Sequence, residues 1–430
     1  MTTASTGLAD TVDSVIETLA ERLADPARTC PCGSAENWRP ALDSECGLAL
    51  LYAELGHSDP DYRYIAHRYL GEANQALSES GNHALYDGAP ALAFAASCAV
   101  QREGEYATLF AGLDEPVFRV VRVVLAAEHE RLKAGATAEH YANFDLISGL
   151  AGLGRYLLRR EQDSPEARSL LEDVCAYFGA LIRPIKREGH TLPGWWSDRP
   201  LNPSTEDSSG HINLGMAHGI PGPLALLATA WRSGVRVHGH AEAIETIMDF
   251  LITWSDEDEF GRYWPQALDL DEYTHRPPRL TRSRQAWCYG TPGIARAVQL
   301  AGFALGRQDW NTLAREAVWD MFRLPTEQWR VQDTCLCHGW AGLLHVVARI
   351  HADDPRCELS GELDWLAQRT AAPFDPSLPY GYQQVGGLRA ELLRDDPGFL
   401  TGAAGIALAL HAYRTTPRPA SGWDTALLLD

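Results

Sequence analysis

The sequence predicts an all-α protein in which seven helical hairpins close into a double ring. Three observations lead to this fold class. A Gly-x-x-Gly pattern recurs along the chain and opens an apolar helical stretch each time. A longer amphipathic segment lies between successive copies, and no strand pattern of comparable strength is visible. A repeating pair of helices that cannot bury its own apolar face must stack on its neighbours, and seven such pairs can close on themselves.

The short apolar helices begin at the glycine pattern. Five clear copies start at Gly149, Gly219, Gly290, Gly339 and Gly402. A weaker copy is Gly88-Ala-Pro-Ala91, and a degenerate seventh copy is Ser44-Glu-Cys-Gly47. Glycine permits a sharp turn into a helix and a close approach between backbones. Five full copies, each followed by an apolar run, indicate a repeat rather than coincidental turns.

The longer segments have the helical period, as Val117, Val120, Val121 and Val124 illustrate. We predict these helices near 10–24, 60–77, 114–134, 164–184, 239–254, 308–323 and 361–372. The glycine-led helices would form the inner ring and the amphipathic helices the outer ring of one domain over residues 1–430. Loops near 185–216, 255–285 and 373–398 would cover one mouth, where loops usually carry function.

Composition limits the class of protein. A hydrophobic content of 45% and a charged content of 22% are typical of a soluble globular protein. There is no apolar run of about 18 residues, so no transmembrane segment is expected. The N-terminus does not resemble a secretory signal, which predicts a cytoplasmic protein. The net charge of −20 argues against a nucleic-acid partner and would also suit a cationic peptide.

Candidate metal ligands lie next to the glycine pattern. Cys288 stands two residues before Gly290, and Cys337-His338 directly precedes Gly339. Cysteine and neutral histidine are preferred zinc ligands, and three protein ligands leave a position open for chemistry. Equivalent repeat positions lie on the same rim, so the sequence predicts a Zn²⁺ site on Cys288, Cys337 and His338. Cys335 is a rival ligand, one step further from the turn.

The other cysteines are expected to be reduced. Nine cysteines, an odd number, in a long chain without a secretion signal favour thiols or metal ligands over a disulfide framework. Cys30-Pro-Cys32 lacks a second pair, so we interpret it as structural or incidental.

Three further polar residues share the rim. Asp145 lies four residues before Gly149, His218 is adjacent to Gly219, and Arg284 lies six residues before Gly290. Considered one at a time, Asp145 would be interpreted as a helix cap, His218 as a packed core histidine and Arg284 as a solvated loop residue. Their shared rim with the metal candidates makes all three candidate catalytic residues.

At this point the motifs resemble the lanthionine synthetase C-like family, the lanthipeptide cyclases. The resemblance covers the whole chain and is most specific in Trp287-Cys288-Tyr289-Gly290-Thr291-Pro292-Gly293 and Cys337-His338-Gly339-Trp340-Ala341-Gly342. Gly215–Gly222, Phe144–Gly149 and Ser421-Gly422-Trp423-Asp424 also match family patterns. The first two repeats depart most, with Ser44 and Ala91 where the pattern has glycine.

The resemblance implies an α/α toroid of seven inner and seven outer helices with zinc at its mouth. It assigns zinc ligation to Cys288, Cys337 and His338, and acid/base chemistry to His218 with Asp145 and Arg284 in support. The implied reaction adds a peptide cysteine to a dehydroalanine or dehydrobutyrine of the same peptide and forms a thioether ring. The implied substrate is a dehydrated precursor peptide with leader and core, and a lanthipeptide dehydratase is a candidate partner.

Other functions stay open at this stage. A family member could add glutathione to dehydrated peptides instead of closing rings. Helical barrels with zinc also prenylate protein cysteines, although that site needs an aspartate ligand near the cysteine. A helical glycosidase needs paired carboxylates, for which the rim offers only Asp87 and Asp145. A non-catalytic peptide-binding toroid would hold no metal. The precursor peptide, its ring pattern and the oligomeric state do not follow from the sequence.

Overall fold

The computed structural model describes residues 2–29, 40–77, 84–200, 210–354, 356–385 and 393–430. Within these ranges the chain forms sixteen α-helices: α1 (Thr2–Arg22), α2 (Pro26–Thr29), α3 (Glu45–Leu55), α4 (Asp61–Ala76), α5 (Gly88–Ala99), α6 (Ala107–Lys133), α7 (Leu150–Arg160), α8 (Pro165–Leu181), α9 (Pro221–Arg232), α10 (His240–Thr253), α11 (Leu270–Thr274), α12 (Thr291–Leu305), α13 (Gln308–Met321), α14 (Trp340–Asp353), α15 (Ser360–Ala371) and α16 (Ala403–Arg414). None of these helices has the length and hydropathy that a membrane span requires.

The predicted alternation of two kinds of helix is present. The seven glycine-led helices are α3, α5, α7, α9, α12, α14 and α16, and the seven long ones are α1, α4, α6, α8, α10, α13 and α15. Burial separates the two kinds. Nearly every residue of α5 is buried. In α4 the buried residues are Ala66, Tyr69, Leu70 and Ala73, which is the spacing of a single helical face.

The chain divides into two compact units. Unit 1 consists of residues 1–114 and 331–424, and unit 2 of residues 115–330 and 425–430. In unit 1 the glycine-led helices pack side by side in the order α14, α16, α3, α5. Helix α4 packs on α3, α15 on α14, and the first long helix α1 on the last glycine-led helix α16. Each hairpin of this unit therefore buries its apolar face on neighbouring hairpins.

Unit 2 repeats this arrangement with α7, α9 and α12 side by side, packed on α8, α10 and α13 respectively. The last residues of the chain complete its core. The Trp287 Nε1–H donates to the Leu427 carbonyl at 3.0 Å, and the Arg296 guanidinium donates to the Leu429 carbonyl. Asp430 forms a two-point ion pair with Arg155. Since Arg296 and Trp287 are fully buried, these contacts anchor the start of α12 from within the unit.

The three predicted loops contain short strands that the sequence pattern did not indicate. The strands are β1 (Ile185–Arg187), β2 (His190–Leu192), β3 (His211–Asn213), β4 (Asp256–Asp258), β5 (Gly261–Tyr263), β6 (Ala267–Asp269), β7 (Gln383–Val385) and β8 (Leu393–Asp395). They pair antiparallel as β1–β2, β3–β6, β4–β5 and β7–β8. Each strand has three residues, which is too short for an alternating pattern to be recognised in sequence.

Two helix starts were also predicted wrongly. Helix α1 begins at Thr2, well before the predicted start at 10. Helix α6 begins at Ala107, well before the predicted start at 114, and continues through Pro116. The sequence Asp114-Glu115-Pro116 has the form of a helix start, because proline is favoured in the first turn. Here the proline instead lies inside the helix, with two more turns before it. The prediction of a single domain over 1–430 stays a prediction.

Candidate functional site

The candidate site residues lie in tight loops that lead into the glycine-led helices. A Cβ atom at Gly342 would lie 1.9 Å from the Leu336 carbonyl oxygen, and one at Gly405 would lie 1.8 Å from the Phe399 carbonyl oxygen. In both cases the carbonyl belongs to the residue six positions earlier. The second glycine of the pattern is therefore needed because the incoming loop folds back onto the first helical turn.

The loop before α12 needs its first glycine for two reasons. Gly290 has a φ of +107°, which side chains rarely adopt, and a Cβ atom there would lie 1.8 Å from the Arg284 carbonyl oxygen. The segment from Arg284 to Tyr289 is thus folded tightly against the helix start. This fold fixes the backbone on both sides of Cys288.

In unit 2 the structure brings His218 and Asp145 together. The His218 Nδ1 lies 2.6 Å from the Asp145 Oδ2. A carboxylate can only accept a hydrogen bond, so Nδ1 carries the proton and Nε2 is the nitrogen that can gain or lose one. The Asp145 side chain is fully buried, whereas 28% of the His218 side chain is exposed. The pair therefore has the geometry of an oriented general acid or base.

The backbone fixes the Asp145 carboxylate from its other side. The Ser148 N–H donates to Asp145 Oδ1 at 2.7 Å, within the loop that leads into α7. The capping interpretation is wrong, because the N-cap of α7 is Gly149 and no side chain caps this helix. With one oxygen held by the backbone, the other is directed at the His218 ring.

Two tyrosines to which the sequence assigned no role flank His218: Tyr141, which lies outside the motifs, and Tyr289, which follows Cys288 in its motif. The Tyr141 ring lies 4.9 Å from the His218 ring, centre to centre. Burial, together with the charge of Asp145, raises the pKa of the Tyr141 phenol. The Tyr289 ring lies 6.5 Å from His218, and its hydroxyl accepts a hydrogen bond from Asn213 at 3.2 Å. Burial raises the pKa of Tyr289 as well, so both phenols stay protonated near neutral pH.

Cys288 lies in the same unit, beside the loop that carries His218. The Cys288 side chain is buried, and its carbonyl accepts a hydrogen bond from the Ala217 N–H at 3.4 Å. Gly215 packs on the Tyr289 ring, where a Cβ atom would lie only 2.4 Å away. The loops before α9 and α12 are therefore joined directly at Cys288 and Tyr289.

Arg284 is placed differently from His218 and Asp145. Its side chain is exposed, and the guanidinium makes no hydrogen bond or ion pair within the described ranges. The backbone next to it is fixed, because the Gln285 N–H donates to the Trp329 carbonyl at 2.9 Å. The structure thus fixes the position of the residue and leaves its charge to solvent.

Unit 1 carries Cys337 and His338 in the loop before α14. The Cys337 N–H donates to the Leu400 carbonyl at 2.9 Å, which joins this loop to the one before α16. The His338 Nε2 lies 3.0 Å from the Asp333 Oδ2. The Asp333 side chain is 5% exposed and the His338 side chain 25%. Sequence analysis missed Asp333, because no motif or repeat position points to it.

The described residues contain the ligand types that a metal site needs. None of their seven cysteines is in a disulfide, while Cys30 and Cys32 lie outside the described residues. Of the three predicted ligands, Cys288 lies in unit 2, and Cys337 and His338 lie in unit 1. Within unit 1, ligand atoms of Asp333, Cys335 and His338 lie within 4.8 Å of one another, which keeps Cys335 as a rival. The donor set fits zinc, because thiolate and imidazole are its preferred ligands.

Comparison with known proteins identifies the family. The family model described as lanthionine synthetase C-like protein matches residues 44–428. The chain belongs to the lanthionine synthetase C-like family. It is 23% identical over 401 residues to the nisin biosynthesis protein NisC of Lactococcus lactis subsp. lactis, covering 89% of this chain and 87% of that protein.

A solved structure shows the fold of the family. The chain matches nisin cyclase with a TM-score of 0.73 and 22% identity, over 97% of this chain and 96% of that one. The predicted fold class, an all-α helical toroid, is confirmed by this likeness. The family and the fold class were therefore predicted correctly from the sequence. Asp145 was predicted as a partner of His218, whereas the contact between His338 and Asp333 was not predicted.

Proposed function

We propose that this chain is a zinc-dependent lanthipeptide cyclase. It would close (methyl)lanthionine rings by adding a cysteine thiol to a dehydroalanine or dehydrobutyrine of the same peptide. Membership of the lanthionine synthetase C-like family and the similarity to NisC support the reaction class. The observation that carries the proposal is the His218–Asp145 pair. The Asp145 carboxylate binds Nδ1 of His218, and Nε2 of this partly exposed side chain is left for proton transfer.

Cys288, Cys337 and His338 are the proposed zinc ligands, with Arg284, His218 and Asp145 as the proposed catalytic residues. Two thiolates and one imidazole leave the fourth position of a tetrahedral ion open. When bound, zinc would lower the pKa of a substrate thiol so that the sulfur is nucleophilic at neutral pH.

The chain's own residues would handle the charge and the proton. As the sulfur bonds to the β-carbon, the electron pair of the double bond moves towards the neighbouring carbonyl oxygen. The exposed Arg284 guanidinium is suited to offset that negative charge. The α-carbon must then take up a proton, which the protonated His218 can donate from Nε2. One proton leaves the thiol and one joins the carbon, so the reaction is balanced.

Asp145 would act through the histidine. Its buried carboxylate stabilises the imidazolium and holds the ring plane, because Nδ1–H points at Oδ2. The Tyr141 ring packs 4.9 Å from the imidazole, centre to centre, and limits its movement.

The proposed substrate is a dehydrated precursor peptide with its leader and core, supplied by a lanthipeptide dehydratase as a candidate partner. We also propose a cytoplasmic location. Both the metal-binding cysteines and the substrate cysteine must stay reduced, and the cytoplasm keeps thiols in that state.

A synthetic peptide with one dehydroalanine and one cysteine tests the proposal. Incubation with the zinc-loaded protein should remove the reactive thiol without changing the peptide mass, since cyclisation is an isomerisation. Thiol alkylation followed by mass spectrometry measures the loss. The rate should fall to the uncatalysed level when zinc is removed with a chelator and should return when zinc is restored. A thiol that reacts no faster than in buffer would end the cyclase proposal.

A second peptide separates ring closure from glutathione addition. It carries the dehydroalanine and has serine in place of cysteine. Incubated with protein and glutathione, it should stay unmodified. A protein-dependent gain of one glutathione would show the alternative activity instead.

A further inference from the structure

Asp333 is a buried carboxylate that contacts a proposed zinc ligand, His338, through an ion pair. It lies in the loop before α14, five residues ahead of His338. Its Oδ2 is 3.0 Å from the His338 Nε2, and its side chain is 5% exposed. A carboxylate so buried needs a compensating partner, and the imidazole provides it.

The backbone holds both residues in place. The Trp340 N–H donates to the Asp333 carbonyl at 3.2 Å. A Cβ atom at Gly339 would lie 2.7 Å from the same carbonyl oxygen, so the loop is pressed against the first turn of α14. Asp333 and His338 thus belong to one folded loop.

The pairing determines which nitrogen can bind a metal. The carboxylate accepts a hydrogen bond, so Nε2 carries the proton and Nδ1 carries the lone pair. We propose that Asp333 is a positioning residue for the zinc ion, which fixes His338 in the tautomer that ligates through Nδ1 and makes that nitrogen a stronger donor. This inference rests on the proposed zinc site.

The same unit offers a matched control. The His345 Nε2 lies 3.0 Å from the Asp424 Oδ2, and both side chains are almost fully buried. Asp333 and Asp424 therefore share the residue type, the histidine nitrogen, the distance and the burial. Only the first histidine is a proposed ligand, so only the first carboxylate should influence zinc.

The experiment measures zinc affinity by competition with a chromophoric chelator, in full-length Asp333→Asn and Asp424→Asn proteins. Loss of a carboxylate that orients a ligating histidine typically lowers metal affinity 10- to 100-fold, and we expect a loss of about that size for Asp333→Asn. Asp424→Asn should bind zinc within about twofold of the unchanged protein. Asp333→Glu, which retains the charge on a longer side chain, should recover part of the loss.

Two results would overturn the inference. One is a zinc affinity of Asp333→Asn equal to that of the unchanged protein; the other is an equal loss in Asp424→Asn, which would reveal a general effect of removing a buried carboxylate. Failure of the proposed zinc site is distinguishable, because the unchanged protein would then bind no zinc at all. Failure of the cyclase activity alone would leave the expected zinc affinities unchanged.

A measurement on the unchanged protein avoids any folding defect of the variants. Nitrogen-15 chemical shifts of labelled histidines in the zinc-loaded protein report which ring nitrogen is bound to metal. His338 ligated through Nδ1, with Nε2 protonated, is the expected result. Ligation through Nε2 would contradict the inference and would favour the rival set of Asp333, Cys335 and His338.

Discussion

Units 1 and 2 each hold a partly exposed histidine paired with a buried aspartate, and the two pairs use opposite ring nitrogens. In unit 2 the aspartate binds Nδ1 of His218, whereas in unit 1 it binds Nε2 of His338. The side chains of the two histidines are exposed to a similar extent, 28% and 25%. The comparison teaches that the ring nitrogen bound by the aspartate determines which function the histidine can have, because only the other nitrogen is available. Nε2 of His218 is left for protons, and Nδ1 of His338 for a metal.

A third pair shows what the first two have in common. His345 and Asp424 also form a histidine–aspartate contact, but the His345 side chain is 0% exposed and packs on the Trp423 ring. Arg349 lies 3.4 Å from the same carboxylate. This pair is closed to substrate, so we interpret it as part of the core. Partial exposure of the histidine separates the two candidate functional pairs from the structural one.

The largest expected effect comes from removing a proposed ligand from either unit. Cys288→Ala or Cys337→Ala should lower the zinc content from about one ion per chain to near zero, because two ligands alone hold zinc weakly. Cyclisation should be lost with the metal. Elemental analysis of the purified proteins measures the content.

Cys335→Ala is the matched control, since it removes a buried cysteine from the same loop as Cys337. It should retain the metal. Loss of zinc in this variant alone would assign the sulfur ligand to Cys335 and disprove the assignment to Cys337.

The structural pair should respond in stability and in nothing else. Asp424→Asn removes a buried charge that pairs with His345 and Arg349, and breaking a buried pair on one side costs roughly 3–5 kcal/mol. Denaturant unfolding of the zinc-loaded protein checks the value. A folded Asp424→Asn protein with a reduced rate per bound zinc would show that our division into functional and structural pairs is wrong.

Asp145→Asn should have a smaller effect on rate than loss of the histidine itself. The amide keeps the shape but no longer stabilises the imidazolium, so we expect a decrease of about 10- to 100-fold in cyclisation, at or below the lower end of what a general acid itself contributes. In a double variant with Asp145→Asn and His218→Asn, the cyclisation rate should fall by less than the product of the two single decreases, because the pair acts as a unit. Multiplicative losses would mean that Asp145 and His218 act independently.

The smallest expected effect concerns pH. Burial lowers the pKa of His211 and His240, which are neutral in the folded protein. Their unfolded counterparts take up protons as the pH falls below about 6.5. The stability that the neutral rings contribute is therefore fully present above that pH and is lost as the pH decreases through the range below it.

Thermal unfolding of the zinc-free protein between about pH 7.5 and 5, the range in which unperturbed histidine titrates, should show this decrease. His240→Asn should reduce it, because one of the rings whose pKa is lowered by burial is then absent. A pH dependence in His240→Asn equal to that of the unchanged protein would contradict the neutral, buried state of His240.

Much of the fold was predictable because it repeats. At Gly47, Gly293, Gly342 and Gly405 the incoming loop folds back so closely that a Cβ atom would collide with a carbonyl oxygen, and that requirement leaves a recurring pattern in the sequence. The residues just ahead of each copy, such as Cys288 and His338, could therefore be assigned to equivalent loops from the repeat alone.

What could not be predicted are the contacts that do not repeat. Asp333 lies five residues before His338 in an irregular loop, so no helical or strand period links the two. Tyr141 meets His218 only through tertiary packing. The three-residue strands and the true start of α6 were missed for a related reason, since short elements and an internal proline have weak or misleading local patterns.

Replacing each partly exposed histidine by asparagine tests the central claim, which is that His218 transfers protons and His338 binds the metal. Zinc content and cyclisation rate are measured side by side in His218→Asn and His338→Asn. We predict that His218→Asn keeps its zinc and its fold while the rate falls by about 10²–10⁴-fold, the usual effect of losing a general acid or base. His338→Asn should lose the zinc. A His218→Asn protein that has lost its zinc, or that keeps both its zinc and its normal rate, would contradict the account.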